Sequence, residues 1–161
     1  MTPADFKSAA FQEQLKNYGN QWWRLNNLYF IQAPDGKAIK FKPNWAQEDF
    51  YRNMWYFNVI LKARQLGFST FIMIYMLDSA LFNPNQSCGV IAQDLNVAGD
   101  LFDNKIKFAY DRLPGGLSKA VVAEEDNARK LVFSNGSSIT VGTSLRGGTF
   151  QKLHVSEYGK I

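Results

Sequence analysis

The chain of 161 residues is long enough for one domain, or one domain with a short appendage. Apolar residues make up 46% and aromatics 15%, which excludes a disordered tail, a collagen-like fibre and a low-complexity linker. Eighteen Lys and Arg against 14 Asp and Glu leave a net charge of +4, which permits contact with nucleic acid without requiring it.

Residues 4–17 predict a short amphipathic helix with Phe6, Ala9, Ala10 and Leu15 on one face. An aromatic-rich stretch follows, with Trp22, Trp23, Tyr29 and Phe30. Leu28 to Gln32 and Ala38 to Lys42 flank Ala33-Pro34-Asp35-Gly36, whose turn chemistry predicts a β-hairpin. Asn44 is an N-cap for a helix from Trp45 to Met54. Tyr56 to Leu61 is β-prone and almost continuously apolar, as expected of a strand buried on both faces. Lys62 to Gly67 is a polar loop, and Ser69 opens an apolar helix to Phe82 that Asn83-Pro84-Asn85 ends.

Ser87 to Ala92 reads as a second buried strand and Leu95 to Arg112 as a helix, closed by Leu113-Pro114-Gly115-Gly116. Leu131 to Phe133, an Asn135-Gly136 turn and Ser138 to Val141 form a hairpin. Gly142 to Gly148 is a loop, and Leu153 to Val155 a last strand.

The longest apolar run, Phe71 to Leu77, falls far short of the roughly 20 residues that span a bilayer. No membrane association is therefore expected. The opening MTPADFKSAA lacks the layout of a secretory signal. Cys88 has no cysteine partner, and Cys88 with His154 is too small a set for an ordinary zinc site. The expectation is a cytoplasmic, reduced, metal-poor protein.

This order of elements is α/β organisation, since parallel strands need helical crossovers that cover the sheet faces. The expected fold is a mostly parallel sheet with flanking helices over 44–161, preceded by a helix and hairpin appendage over 1–43. The last strand lies so near Ile161 that a fragment of a longer protein is expected, with the C-terminal part of the fold missing.

The segment Lys62, Ala63, Arg64, Gln65, Leu66, Gly67, Phe68, Ser69, Thr70 stands between a buried strand and a helix start. Phosphate-binding loops occupy that position, where backbone N–H groups and the helix dipole converge on an anion. Against the pattern G-x-x-x-x-G-K-[ST], Gly67 and Ser69 match, Phe68 replaces the Lys and Lys62 replaces the first Gly. A plain strand–turn–helix junction would also contain such a string. Lys62 or Arg64 could supply the missing cation by reaching over the phosphates, with Gly67 holding the turn open and the Ser69 hydroxyl on Mg²⁺.

The string resembles the deviant Walker A of the large terminase subunit, the DNA-packaging motor of tailed bacteriophages, which often carries its basic residue at the front of the loop. Leu153-His154-Val155-Ser156-Glu157-Tyr158 is similar to the family's Walker B strand, with Ser156 where Asp is usual. Thr143 to Phe150 resembles the Arg-Gly loop before Walker B, and Asn44-Trp45-Ala46-Gln47 the adenine-reading glutamine segment. The likeness spans about Pro43 to Ile161.

The resemblance implies a P-loop ATPase fold of the RecA-like, catalytic-glutamate type, with ATP and Mg²⁺ as cofactors. Glu157 would be the catalytic carboxylate, Arg146 an arginine finger acting across a subunit boundary, and Gln47 the reader of the adenine edge. Ser69 and Ser156 would be the metal-side residues. The full-length protein would drive double-stranded DNA into a procapsid through backbone contacts. Its partners would be the portal protein, the small terminase subunit and copies of itself in a ring, in the cytoplasm of a bacterial host. The isolated chain would be a poor ATPase.

Two other readings stay open: a helicase-like P-loop ATPase, and a non-catalytic nucleotide-binding fragment. Residue by residue, Glu157 is also compatible with a surface turn, Arg146 and the loop cations with solvated charges, Gln47 with an exposed helix face and His154 with a strand residue facing the core.

Overall fold

A computed structural model describes residues 8–61 and 66–157. The first helix, α1 (Ala9–Gly19), opens where Ser8 Oγ accepts the Phe11 N–H; residues 4–7 of the expected helix lie outside the described residues. Asn20 ends α1 and caps α2 (Gln21–Asn27) by accepting the Trp23 N–H. The aromatic stretch is thus helical, because the cap and the packing of Trp22 and Trp23 against the core outweigh the modest helix preference of aromatics. The hairpin forms as β1 (Phe30–Gln32) and β2 (Ala38–Lys40), antiparallel, around Gly36 at φ 82°. Helix α3 (Trp45–Asn53) starts at Asn44, whose side chain accepts the Ala46 and Gln47 N–H groups in a complete capping box.

Tyr56 to Leu61 does not form the expected strand. Asn58 closes a local loop, accepting the Trp55 N–H at 2.9 Å and donating to the Trp55 carbonyl at 2.6 Å. Such side-chain bonds compete with a strand ladder. The segment runs over the surface, with Tyr56 91% and Leu61 100% exposed.

Helix α4 (Phe68–Phe82) is apolar on every side, and its residues from Phe71 to Leu81 are buried except Tyr75. A helix of this kind must be wrapped all round. One wrapping is a sheet made of β3 (Ser87–Ile91), β4 (Ala123–Asn127), β5 (Lys130–Phe133), β6 (Ser138–Gly142) and β7 (Lys152–Val155), in the order β4-β5-β6-β3-β7.

Strand β3 is parallel to β6 and β7, whereas β5 is antiparallel to β4 and β6. The sheet is therefore mixed and not mostly parallel. Tight turns join β4 to β5 and β5 to β6, and connections that short permit only antiparallel neighbours. The acidic strand β4 carries little β-forming signal, but charged residues suit an exposed sheet edge.

Between β3 and β4 run α5 (Leu95–Leu101), a π-helical stretch (Phe102–Lys107), α6 (Phe108–Tyr110) and α7 (Gly115–Ala120). The expected helix over 95–112 is thus interrupted where the Phe108 N–H reaches the Asp103 carbonyl. The widened turn keeps both Phe102 and Ile106 fully buried.

That helical stretch packs on α4, and so does the N-terminal layer: Leu25, Leu28, Tyr29 and Phe41 share one continuous core with Phe71, Ile74 and Leu77. Asp78 is the one charge in α4 and is 0% exposed. Its carboxylate accepts from Arg24 Nε (2.9 Å) and Nη2 (2.8 Å), from the Tyr29 hydroxyl (2.7 Å) and from Gln21 Nε2 (3.1 Å). Arg24 Nη1 donates to the Tyr18 carbonyl, and the guanidinium lies 4.0 Å from the centre of the Phe82 ring. Burial, with the Asp78 charge beside it, pushes the Tyr29 phenol well above its ordinary value of 10.0. Cys88 is a fully buried, packed side chain, and burial pushes its thiol up to about 11.

Breaking the buried pair should loosen both layers. Asp78→Ala strands the Arg24 charge in the core and is expected to lower the unfolding free energy by about 3–5 kcal/mol. Adding Arg24→Ala should recover part of that loss. Urea titrations of the two variants check this. A loss below about 1 kcal/mol for Asp78→Ala, the size of an exposed ion pair, would contradict a structural role for the pair.

Candidate functional site

Chain direction brings the start of α4 to the edge of the sheet where the parallel strands end. The connection 83–86 turns the chain back, so α4 runs antiparallel to β3. At the lower rungs, Cys88 Sγ lies against the Met76 carbonyl and Lys152 Nζ over the Tyr75 ring. From Met76 back to Ser69 is about 10 Å along a helix, and from Cys88 to Ile91 about 10 Å along a strand. The helix start and the strand ends therefore reach the same level. Two further bonds level the strand ends, Ala92 N–H to the Gly142 carbonyl and Ser156 N–H to the Ile91 carbonyl, each 2.8 Å. Open α/β sheets bind ligands at this edge.

Gly67 is the N-cap of α4, at φ 68° in the left-handed region, and among the described residues no side chain caps the helix. Ser69 and Thr70 lie in the first turn, where N–H groups have no partner within the helix. The first turn carries no acidic residue, so its dipole is open to an anion. Phe68, at the position of the usual Lys, is buried edge-on against Phe50 with ring centroids 5.8 Å apart.

The loop is held from α3. Gln47 is 3% exposed. Its Oε1 accepts the Asn44 N–H, and its Nε2 donates to the Leu66 carbonyl at 3.1 Å and the Gly67 carbonyl at 3.0 Å. Asn44 Nδ2 donates to the Leu66 carbonyl as well. Gln47 is thus neither on an exposed helix face nor aimed at open space. The part played by Asn44 beyond capping was visible only as the Asn44…Gln47 capping-box spacing. Beside this turn lies an open cavity of about 370 Å³, lined by Trp45, Asp49, Phe50, Asn53, Leu66 and Phe68 among others.

Ser156 and Glu157 follow directly on β7. Ser156 is buried, and Glu157 is exposed with φ 56°, a left-handed turn conformation. His154 is half-buried. Arg146 is exposed on the loop after β6, next to Gly147 at φ 74°. That loop is seated by Leu145 and Phe150: a Cβ on Gly89 of β3 would fall 2.9 Å from both. The sequence alone did not mark Gly89 as this seat. Lys62, Ala63, Arg64 and Gln65 lie outside the described residues.

Among the described residues, no group of three or more His, Cys, Asp or Glu could hold a metal, and no helix is long and apolar enough to cross a membrane. For Mg²⁺ the oxygen donors at this edge are few, the Ser69 hydroxyl and the Glu157 carboxylate among them. They suit a cation that arrives on phosphate oxygens and keeps most of its waters, not one held in a protein cage. No family model matches the chain.

The cap geometry makes Gly67 the most sensitive loop position. A Cβ there would sit 2.8 Å from Gln47 Nε2, at a φ that side chains rarely adopt. Gly67→Ala is expected to cost about 1–2 kcal/mol from backbone conformation alone, read by chemical denaturation, whereas Gly99→Ala, with open space around it, should cost nothing. Equal stability of the two variants would show that the left-handed cap does not govern the start of α4.

Proposed function

We propose that the start of α4 is the phosphate site of a nucleotide-binding domain, and that the chain is the ATP-binding portion of a DNA-packaging motor similar to the large terminase subunit. The observation that carries this reading is the uncapped, glycine-led N-terminus of α4 at the sheet edge that also bears Ser156, Glu157 and the Arg146 loop. The N–H groups of Gly67 to Thr70 receive the phosphate oxygens. Bound Mg²⁺ would neutralise phosphate charge, with the Ser69 hydroxyl as its protein ligand. Glu157, in the first turn beyond β7, orients and deprotonates the attacking water. Arg146 projects on an exposed loop, where it serves a nucleotide held by a neighbouring copy. In the complete motor, hydrolysis drives double-stranded DNA past the ring through contacts with its backbone.

A thermal-shift titration with Mg-ATP tests the reading. At one hundred times the dissociation constant a bound ligand adds about 2.7 kcal/mol, a rise of roughly 5–10 °C for a domain of this size. Ser69→Ala should reduce the rise, and Glu157→Gln should keep it. No shift at millimolar Mg-ATP, with the protein folded, would overturn the proposal.

A further inference from the structure

We infer that Gln47 is a positioning residue that shapes the phosphate loop, and not a reader of the nucleotide base; the inference rests on the phosphate-site reading of α4. A capping box needs only the side-chain oxygen of its third residue, and Gln47 Oε1 fills that place on the Asn44 N–H. The amide group has two hydrogens left. Both go to carbonyls of another segment, Leu66 and Gly67. A purine edge would find neither donor available, on a side chain that is almost wholly buried.

Peptide geometry gives those two bonds their consequence. In a planar trans peptide the N–H points opposite to the C=O of the same unit, and no peptide among the described residues is cis. Holding the Leu66 carbonyl towards α3 aims the Gly67 N–H away from it. Holding the Gly67 carbonyl aims the Phe68 N–H away in the same manner. Asn44 Nδ2 adds a second bond on the Leu66 carbonyl, and the Phe71 N–H a second on Gly67. The turn is therefore formed before any anion arrives, with its donors already oriented. Gly67 is required twice, for its left-handed φ and for the 2.8 Å that separates Gln47 Nε2 from any Cβ placed there.

Gln47→Met keeps the length and packing of the side chain and removes the bonds. Two readouts separate the roles: affinities for inorganic tripolyphosphate, Mg-ATP and Mg-GTP, and hydrogen exchange of the Phe71 amide without ligand. The expected result is a loss of roughly tenfold for all three ligands alike, the order expected when two buried hydrogen bonds that hold a binding loop are lost, with faster Phe71 exchange. Gln47→Glu, which keeps the acceptor for Asn44 but not the two donors, should behave the same way. Unchanged tripolyphosphate affinity with a collapsed preference between ATP and GTP would overturn the inference in favour of base reading. Unchanged Phe71 exchange would overturn it as well. If the wild-type chain binds none of the three, the phosphate-site reading fails, and the exchange measurement still decides whether Gln47 holds the turn.

Discussion

Between Phe71 and Leu81 helix α4 is buried at every position but Tyr75, and the rest of the molecule is arranged around that constraint. Burial of its side chains favours folding by about 25 cal/mol for each Å² of apolar surface removed from water. No single layer can cover a cylinder. The sheet covers it through Cys88, Val90, Ile139 and Val141, α5 and the π-helical stretch through Leu101, Phe102 and Ile106, and the N-terminal segment through Leu25, Tyr29 and Phe41. Asp78 breaks the apolar surface once. It is tolerated because Arg24, Tyr29 and Gln21 fill its acceptor positions. That network also fixes the rotation of α4 relative to the N-terminal layer, since the bonds to Arg24 and Tyr29 are directional.

A helix held this firmly presents a fixed end. The N-terminus of α4 cannot retreat from the strand ends of β3, β6 and β7 without exposing Phe68 or Phe71, both buried. The remaining freedom lies in the turn ahead of it, and there the bonds from Asn44 and Gln47 act. Core packing thus sets where the turn sits, and two side-chain amides set which way its peptide units face. The chemistry proposed for this edge needs both, because oriented N–H dipoles stabilise an anion only when they do not have to reorganise to do so.

Much of this was legible in the sequence. The Pro34-Asp35-Gly36 and Asn135-Gly136 turns, the Asn44 cap and the span of α4 depend on local chemistry, and local chemistry is written in adjacent residues. The exposed loop over Tyr56 to Leu61, expected as a strand, was not, because composition reports a preference for burial and cannot report that Asn58 satisfies the Trp55 backbone locally. Helix α2 was hidden by its aromatics and declared only by Asn20. Strand β4 was hidden by its charges, which suit its edge position. At the site, the positions of Gly67 and Ser69 followed from pattern. The side chains of Phe68 and Gln47 did not, since one packs against Phe50 and the other spends its amide on carbonyls about twenty residues away in sequence.

The most direct test is a map of backbone amide chemical shifts as inorganic tripolyphosphate is added with Mg²⁺. The account predicts that the largest changes fall on Gly67, Phe68, Ser69 and Thr70, with smaller ones on Arg146, Ser156 and Glu157 at the same sheet edge. Changes spread over exposed lysines such as Lys37, Lys40 and Lys119, with the start of α4 unmoved, would contradict it.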